Sequence, residues 1–356
     1  GGHNIHWFAE YAVDKLKGEA WDTVHRNAHN KVRYEPSGVA AIITPWNAPF
    51  MLATWKIAPA LAAGCSMVIK PAKQTSLTAI RIAELAAEAG LPKGVLNVIT
   101  GGGAAVGEAI GRHMDVDMVT FTGSTVTGRR FLQYSSDSNL KKVVLELGGK
   151  NPCVVLDDAE DLDYVAQQVC AAAFWNMGEN CSAGSRLIVH EAIQDKLLEL
   201  VKKYSSDWQL GDPLDPQNNL GAMIDTGHFN KVCEYLELGK QEGYEVVIGG
   251  NARDGRFIEP TIFAGVKNSD RMAQEEIFGP ILSVITVSSF EEAMEVANDT
   301  EYGLAASVFT ANSKRAIKAA RAIKAGTVTV NCFGEGDITT PFGGYKLSGF
   351  GGRDNS

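Results

Sequence analysis

The chain has 356 residues, 45% of them hydrophobic and 21% charged, and a formal net charge of −9. That length exceeds what one hydrophobic core usually serves, so two domains are expected. The acidic balance, with no strong basic run, argues against nucleic acid or an anionic membrane surface as the main partner. No apolar run reaches the roughly 18 residues that a membrane span needs.

Residues 3–17 read as an amphipathic helix, with Trp7, Phe8, Tyr11 and Leu16 near one stripe. Residues 18–36 are polar and weakly alternating, as an extended arm or hairpin is. His25 and His29 stand there at i and i+4, a spacing that suits a metal only on a helix, and the stretch is poor in helix formers. No metal is expected. From residue 39 the pattern becomes strand and helix in alternation. Strands are expected at 39–44, 66–70, 95–99, 118–122 and 142–146. Helices are expected at 51–63 with Gly64 as C-cap, 76–89, near 104–112, and 125–134. This rhythm argues for a doubly wound parallel sheet with ligands at the C-terminal strand ends.

A second run follows, with strands at 152–156, 187–190, 245–248, 281–285, 305–309 and 327–331. Its helices are expected at about 161–175, 192–204, 228–242, 290–298 and 314–325, the last capped by Gly326. Residues 249–256 read as a turn-rich loop. The fold class is therefore α/β, with two Rossmann-like domains. The expected division is 1–147 for a first domain with 18–36 as an arm, 148–345 for a second, and a short segment 346–356.

Six scattered cysteines, at 65, 153, 170, 181, 233 and 332, make no CxxC pair and no zinc-spaced cluster, which fits a reducing compartment and a cytoplasmic location. The N-terminus has no signal-peptide pattern. Cys181 differs from the other five in its setting: FWNMGENCSAGSR (174–186) holds it on a polar, Gly-rich turn between a helical run and a strand-like run. A thiol so placed is either a nucleophile or an ordinary loop cysteine. Glu146 closes a strand before Gly148 and Gly149, where a carboxylate can act as general base. Asn47, in a turn after another strand, offers an amide donor to an oxyanion. Two Gly turns, at 101–107 and 121–128, each follow a strand and open a helix. Glycine there lets a backbone approach a pyrophosphate at a helix N-terminus, although neither turn matches GxGxxG and each also serves as a plain structural turn.

Taken together, PWNAPF (45–50), KPA (70–72), FTGST (121–125), LELGGK (145–150), GENC (178–181), EEIFGP (275–280) and PFGGYK (341–346) resemble the NAD(P)-dependent aldehyde dehydrogenase superfamily, in family order and over nearly the whole chain. The resemblance implies an NAD(P)+-dependent oxidation of an aldehyde to the carboxylic acid. Cys181 would form a thiohemiacetal and then a thioester. Its main-chain N–H and the Asn47 side chain would hold the oxyanion, and Glu146 would activate the hydrolytic water. Lys70 would bond the adenosine ribose, Gly103 and Gly107 would line the adenosine side, and Ser124 would contact the pyrophosphate with Gly123 giving close approach. Glu276 would bond the nicotinamide ribose, Phe278 would pack near it, and Trp46 would line the cleft. A homodimer or homotetramer is implied, with the arm used in assembly.

Lys73 stands where many NAD-preferring members carry a glutamate, so NADP+ acceptance is expected. FGEGDITT (333–340) resembles members acting on ω-amino or guanidino aldehydes, such as γ-glutamyl-γ-aminobutyraldehyde dehydrogenases, and Glu335 and Asp337 would hold a cationic tail or stand as solvated loop acids. Both chain ends read as truncated against the family. A catalytically impaired fragment or a structural relative of the fold is the alternative.

Overall fold

The computed structural model describes residues 1–22, 29–334 and 336–352. The chain divides into two compact units, the first built on 1–146 and the second on 147–336 with 342–350.

The first unit begins with α1 (Gly2–Lys15) and the antiparallel hairpin β1 (Glu19–Asp22) and β2 (His29–Val32). The arm is thus a hairpin with His29 on a strand, while His25 lies outside the described residues. The body follows: β3 (Val39–Ile43), α2 (Pro49–Ala62), β4 (Ser66–Lys70), α3 (Leu77–Glu88), β5 (Leu96–Val98), α4 (Glu108–Arg112), β6 (Met118–Thr122), α5 (Thr125–Ser136) and β7 (Lys142–Glu146). These strands pair in parallel in the order β7-β6-β3-β4-β5. Growth to one side of β3 and then the other makes the sheet doubly wound, with its switch point between β3 and β6. α2 begins at Pro49, whose missing N–H costs nothing at the first helical position. Past its end Gly64 takes φ +77 and donates to Leu61 O, as a left-handed C-terminal glycine does. Ile42, Met67 and Ile69 pack with Ile57 of α2 at essentially zero exposure, each burial stabilising by about 1.5–3 kcal/mol.

The expected helix near 104–112 is two pieces. Gly103–Gly107 forms one wide π-type turn and only then does α4 start. Three glycines and small residues offer no apolar stripe to hold an α-helix, so the turn follows the demands of its neighbours.

The second unit contains β8 (Pro152–Val155), α6 (Leu162–Phe174), β9 (Arg186–His190), α7 (Glu191–Ser205), α8 (Thr226–Gln241), β10 (Glu245–Ile248), β11 (Ala252–Arg253), β12 (Phe257–Ile258), β13 (Thr261–Ala264), α9 (Arg271–Gln274), β14 (Ile281–Val287), α10 (Phe290–Asn298), β15 (Ala305–Phe309), α11 (Ser313–Ala322) and β16 (Thr327–Val330). The seven-stranded sheet runs β10-β13-β14-β9-β8-β15-β16, parallel except for the edge strand β10. Along β8, Val154 enters the core on one face, while Cys153 and Val155 enter that on the other. A strand covered on both faces reads as a continuous apolar run, which is why β8, β9 and β14 stand out in the sequence. Side chains cap several helices here: Asp225 accepts from His228 N, Ser289 from Glu292 N, and Asn312 from Lys314 N and Arg315 N.

Three expectations fail in this unit. β13 lies in a stretch with no strand expected, since four residues between Pro260 and Gly265 show no period of their own. The loop 249–256 carries β11, paired with β12. Gly326 does not cap a helix, because α11 stops at Ala322. It is a glycine because a Cβ would collide with the main chain of Gly343.

Candidate active site

In the first unit the expected residues gather at the C-terminal ends of the parallel strands. Trp46 and Asn47 follow β3, Lys70 ends β4, Gly103 and Gly107 follow β5, Gly123 and Ser124 follow β6, and Glu146 ends β7. Ser124 is the N-cap of α5: its Oγ accepts from Thr127 N at 3.4 Å and donates to Thr127 Oγ1 at 3.0 Å, and the residue is exposed. A Cβ at Gly123 would lie 2.6 Å from the Phe121 ring, so only glycine fits the turn. Lys70 is buried, its Nζ donates to Pro71 O at 3.0 Å, and burial pulls its pKa down.

These features fit a dinucleotide. An open helix N-terminus suits a pyrophosphate. A buried ammonium with donors left over suits ribose hydroxyls. Lys73 is exposed at the start of a 3₁₀ turn, Lys73–Thr75.

Glu146 is buried, and in the same unit lies a residue that sequence reasoning missed. Lys56, on α2, is buried and donates from Nζ to Thr120 Oγ1 of β6 at 2.7 Å. Burial pulls its pKa down to about 8, against the raising effect of the Glu146 carboxylate. The available signal was one lysine inside the apolar run 51–63.

In the second unit the corresponding residues lie at the other end of the strands. Cys181 stands on the loop entering β9, Gly149 precedes β8, and Glu276 and Phe278 precede β14. This is the N-terminal edge of the sheet, opposite to the C-terminal strand ends at which the residues of the first unit stand. The reason is topological: the αβ loops that carry these residues return to the strand starts.

The turn before Cys181 is strained. Asn176, Met177 and Gly178 take φ values of 53, 58 and 66 in succession. Left-handed backbone at non-glycine residues costs of order 1–3 kcal/mol each and persists only where surroundings impose it. Asn176 Nδ2 donates to Glu179 O at 3.1 Å, and a Cβ at Gly178 would collide with the Gly279 carbonyl. Cys181 itself is partly exposed while Glu179, Asn180, Ser182 and Ala183 around it are buried. The thiol thus emerges from a closed backbone.

Glu179 Oε1 accepts from Ile224 N at 3.1 Å and lies 3.7 Å from the His228 ring. Burial pushes the Glu179 carboxyl up to about 8, and burial lowers the His228 pKa. Both groups are therefore neutral near pH 7. His228 Nε2 lies 2.7 Å from Phe278 O, which requires the Nε2–H tautomer as donor. Phe278 is held at φ +63. Glu276 is half-buried, its Oε1 accepts from Gly149 N at 2.9 Å, and desolvation raises its pKa. Lys231 donates to Glu276 O at 2.8 Å.

Asp337 is exposed and accepts from Thr339 N at 3.0 Å, forming a local turn. Glu335 lies outside the described residues. No group of three or more potential metal ligands occurs among the described residues. No helix among them is long and apolar enough to cross a membrane.

The sequence model of the aldehyde dehydrogenase family matches residues 2–356. The chain belongs to that family. It is 55% identical to an aminoacetaldehyde dehydrogenase of Pseudomonas aeruginosa, over 99% of this chain and 71% of that protein. It is 47% identical to an NADP/NAD-dependent aldehyde dehydrogenase, PuuC, of Escherichia coli, over 99% of this chain and 70% of that protein. A solved γ-glutamyl-γ-aminobutyraldehyde dehydrogenase from Burkholderia cenocepacia superposes with a TM-score of 0.95 at 47% identity, covering 99% of this chain and 72% of that one. The fold class and the dehydrogenase activity expected from the motifs stand with family membership: NAD(P)+-dependent oxidation of an aldehyde to its acid.

Proposed function

We propose that this aldehyde dehydrogenase takes small ω-amino aldehydes and works through Cys181. The observation that carries the reading is the setting of that thiol, partly exposed on a strained turn whose flanking main chain is buried. A deprotonated Cys181 Sγ bonds the carbonyl carbon. The Asn47 amide and the Cys181 N–H carry the resulting oxyanion. Bound NAD(P)+ supplies the acceptor for the hydride that leaves that carbon. Glu146 then takes a proton from the water whose oxygen attacks the thioester, and the Cys181 thiolate departs as the acid forms.

The cofactor roles stay with Trp46, Lys70, Gly103, Gly107, Gly123 and Ser124 in the first unit, and with Glu276 and Phe278 in the second. The first unit would then be the cofactor-binding domain and the second the catalytic one. Exposed Lys73 supports acceptance of NADP+, since an ammonium attracts a 2′-phosphate that a carboxylate repels. Glu335 and Asp337 would favour a cationic substrate tail. The amino-aldehyde reading also draws on the relatives named above. Assembly as a homodimer or homotetramer through the β1–β2 arm, and a cytoplasmic setting, complete the proposal.

The test is nicotinamide reduction by the purified protein with 4-aminobutyraldehyde against a neutral aliphatic aldehyde, using NAD+ and NADP+ in parallel. Higher kcat/KM for the amino aldehyde, lost in Cys181→Ala, is the expected result. Equal efficiency on the neutral aldehyde would remove the substrate reading, and turnover surviving in Cys181→Ala would remove the nucleophile. Lys73→Glu is expected to lower the NADP+ to NAD+ efficiency ratio several-fold; an unchanged ratio would sink that part.

A further inference from the structure

We propose that Asn151 is the positioning residue of the nucleophile, its side-chain amide locking the peptide bond between Cys181 and Ser182 in place. The inference rests on Cys181 being the nucleophile. Asn151 is buried and stands immediately before β8. Its Nδ2 donates to Cys181 O at 2.8 Å and to Ala183 O at 2.9 Å, and its Oδ1 accepts from Ala305 N at 2.9 Å. The third bond settles the orientation of the amide, since a flipped group would set donor against donor. The other atom of the same peptide is held too: Asn180 Oδ1 accepts from Ser182 N at 3.2 Å and from Ser182 Oγ at 3.1 Å. The peptide that follows the nucleophile is thus gripped by its C=O and by its N–H.

These three bonds use both donors and the acceptor of the Asn151 amide. A serine is too short to reach both carbonyls, and an aspartate sets a carboxylate oxygen against them. Leucine fills the space but leaves both carbonyls without a donor in a buried site. Gly149 closes the arrangement from the other side, because a Cβ there would collide with Cys181 O and lie 2.8 Å from Asn151 Oδ1. Asn151 also ties the turn to the sheet, its own C=O accepting from Arg186 N at 3.3 Å where β9 begins. With that peptide fixed, the Cα of Cys181 and the root of its thiol are fixed relative to β8, β9 and β15.

The experiment compares Asn151→Ser and Asn151→Asp with the parent in the full chain. It measures kcat, the rate of Cys181 labelling by iodoacetamide, and NAD(P)+ affinity. For Asn151→Ser, kcat and the labelling rate should fall at least tenfold with cofactor affinity within twofold. For Asn151→Asp, the deficit should shrink as the pH falls, because a protonated carboxyl regains one donor; a merely structural residue gives no such recovery. Labelling and kcat within twofold of the parent, or a pH-independent Asp deficit, overturns the proposal. Should neither variant fold by circular dichroism, Asn180→Ser loosens the other end of the same peptide. There, unchanged labelling overturns the proposal and a tenfold fall supports it. Turnover in Cys181→Ala would reject the nucleophile itself, an outcome separate from all of these.

Discussion

The Gly-rich turns of the first unit and the cysteine turn of the second are built from the same residue types and behave oppositely. The turns at 101–103 and 123–124 end strands, start helical segments and leave Gly102, Gly103 and Ser124 exposed. The turn at 176–183 follows a helix, leads to a strand, and buries Gly178, Glu179, Asn180, Ser182 and Ala183 on either side of a half-buried Cys181. A turn that binds a departing anion must keep main-chain donors open to solvent between visits. A turn that holds a nucleophile does the reverse: its own polar groups are satisfied internally, so that one side chain keeps a fixed direction.

The sharpest way to break this comparison is Gly178→Ala. The residue sits at φ +66, and the new Cβ meets the main chain of Gly279 and Pro280. A loss of about 3 kcal/mol or more in denaturant unfolding is expected. A loss below about 1 kcal/mol would show that the turn yields.

Glu179→Gln tests whether burial governs the same turn. The folded carboxyl titrates near 8 against an ordinary value of 4.5, so between these values the folded state holds a proton that the unfolded state has lost. Parent stability contributed by this group therefore declines as pH rises from about 4.5 to 8 and is level above. Glutamine retains an acceptor for Ile224 N and has no such titration. The stability gain of the variant should grow across that window to about 2–4 kcal/mol. A difference that stays flat from pH 5 to 8, measured by thermal unfolding, would mean that the carboxyl ionises as it does in water.

Smaller effects are expected in the open turns. Ser124→Ala removes the N-cap of α5 and should cost about 1 kcal/mol together with some NAD(P)+ affinity. Loss of stability without loss of affinity would confine Ser124 to a structural cap. Gly103→Ala meets nothing within 4 Å and has no positive φ, so its stability should stay within about 0.5 kcal/mol of the parent. If melting falls by much more, the first turn is as tightly built as the second and the contrast fails.

Much of this was legible beforehand, for reasons that differ by residue. The strands β3 and β8 are continuous apolar runs because both sheet faces are covered, and β6, β9 and β14 are predominantly apolar for the same reason. Gly64 was readable as a C-cap because a left-handed φ at a helix end is a local demand. β13 was not readable, since its four residues become a strand only through pairing with β10 and β14. Gly326 was misread because its reason is a main-chain approach by Gly343, distant in sequence. Lys56 and Asn151 were missed because a buried lysine or asparagine carries no sign of its partners in the string of residues. Each is identified by what it bonds, Thr120 and the carbonyls of Cys181 and Ala183.

By itself the sequence determined the α/β class and the family, because hydrophobic periodicity and short motifs are local records of local chemistry. Only the tertiary structure decided at which end of each sheet those residues stand and which buried side chains grip the cysteine turn. Those facts depend on strand order and on hydrogen bonds spanning 30 residues of chain or more, which no local pattern encodes.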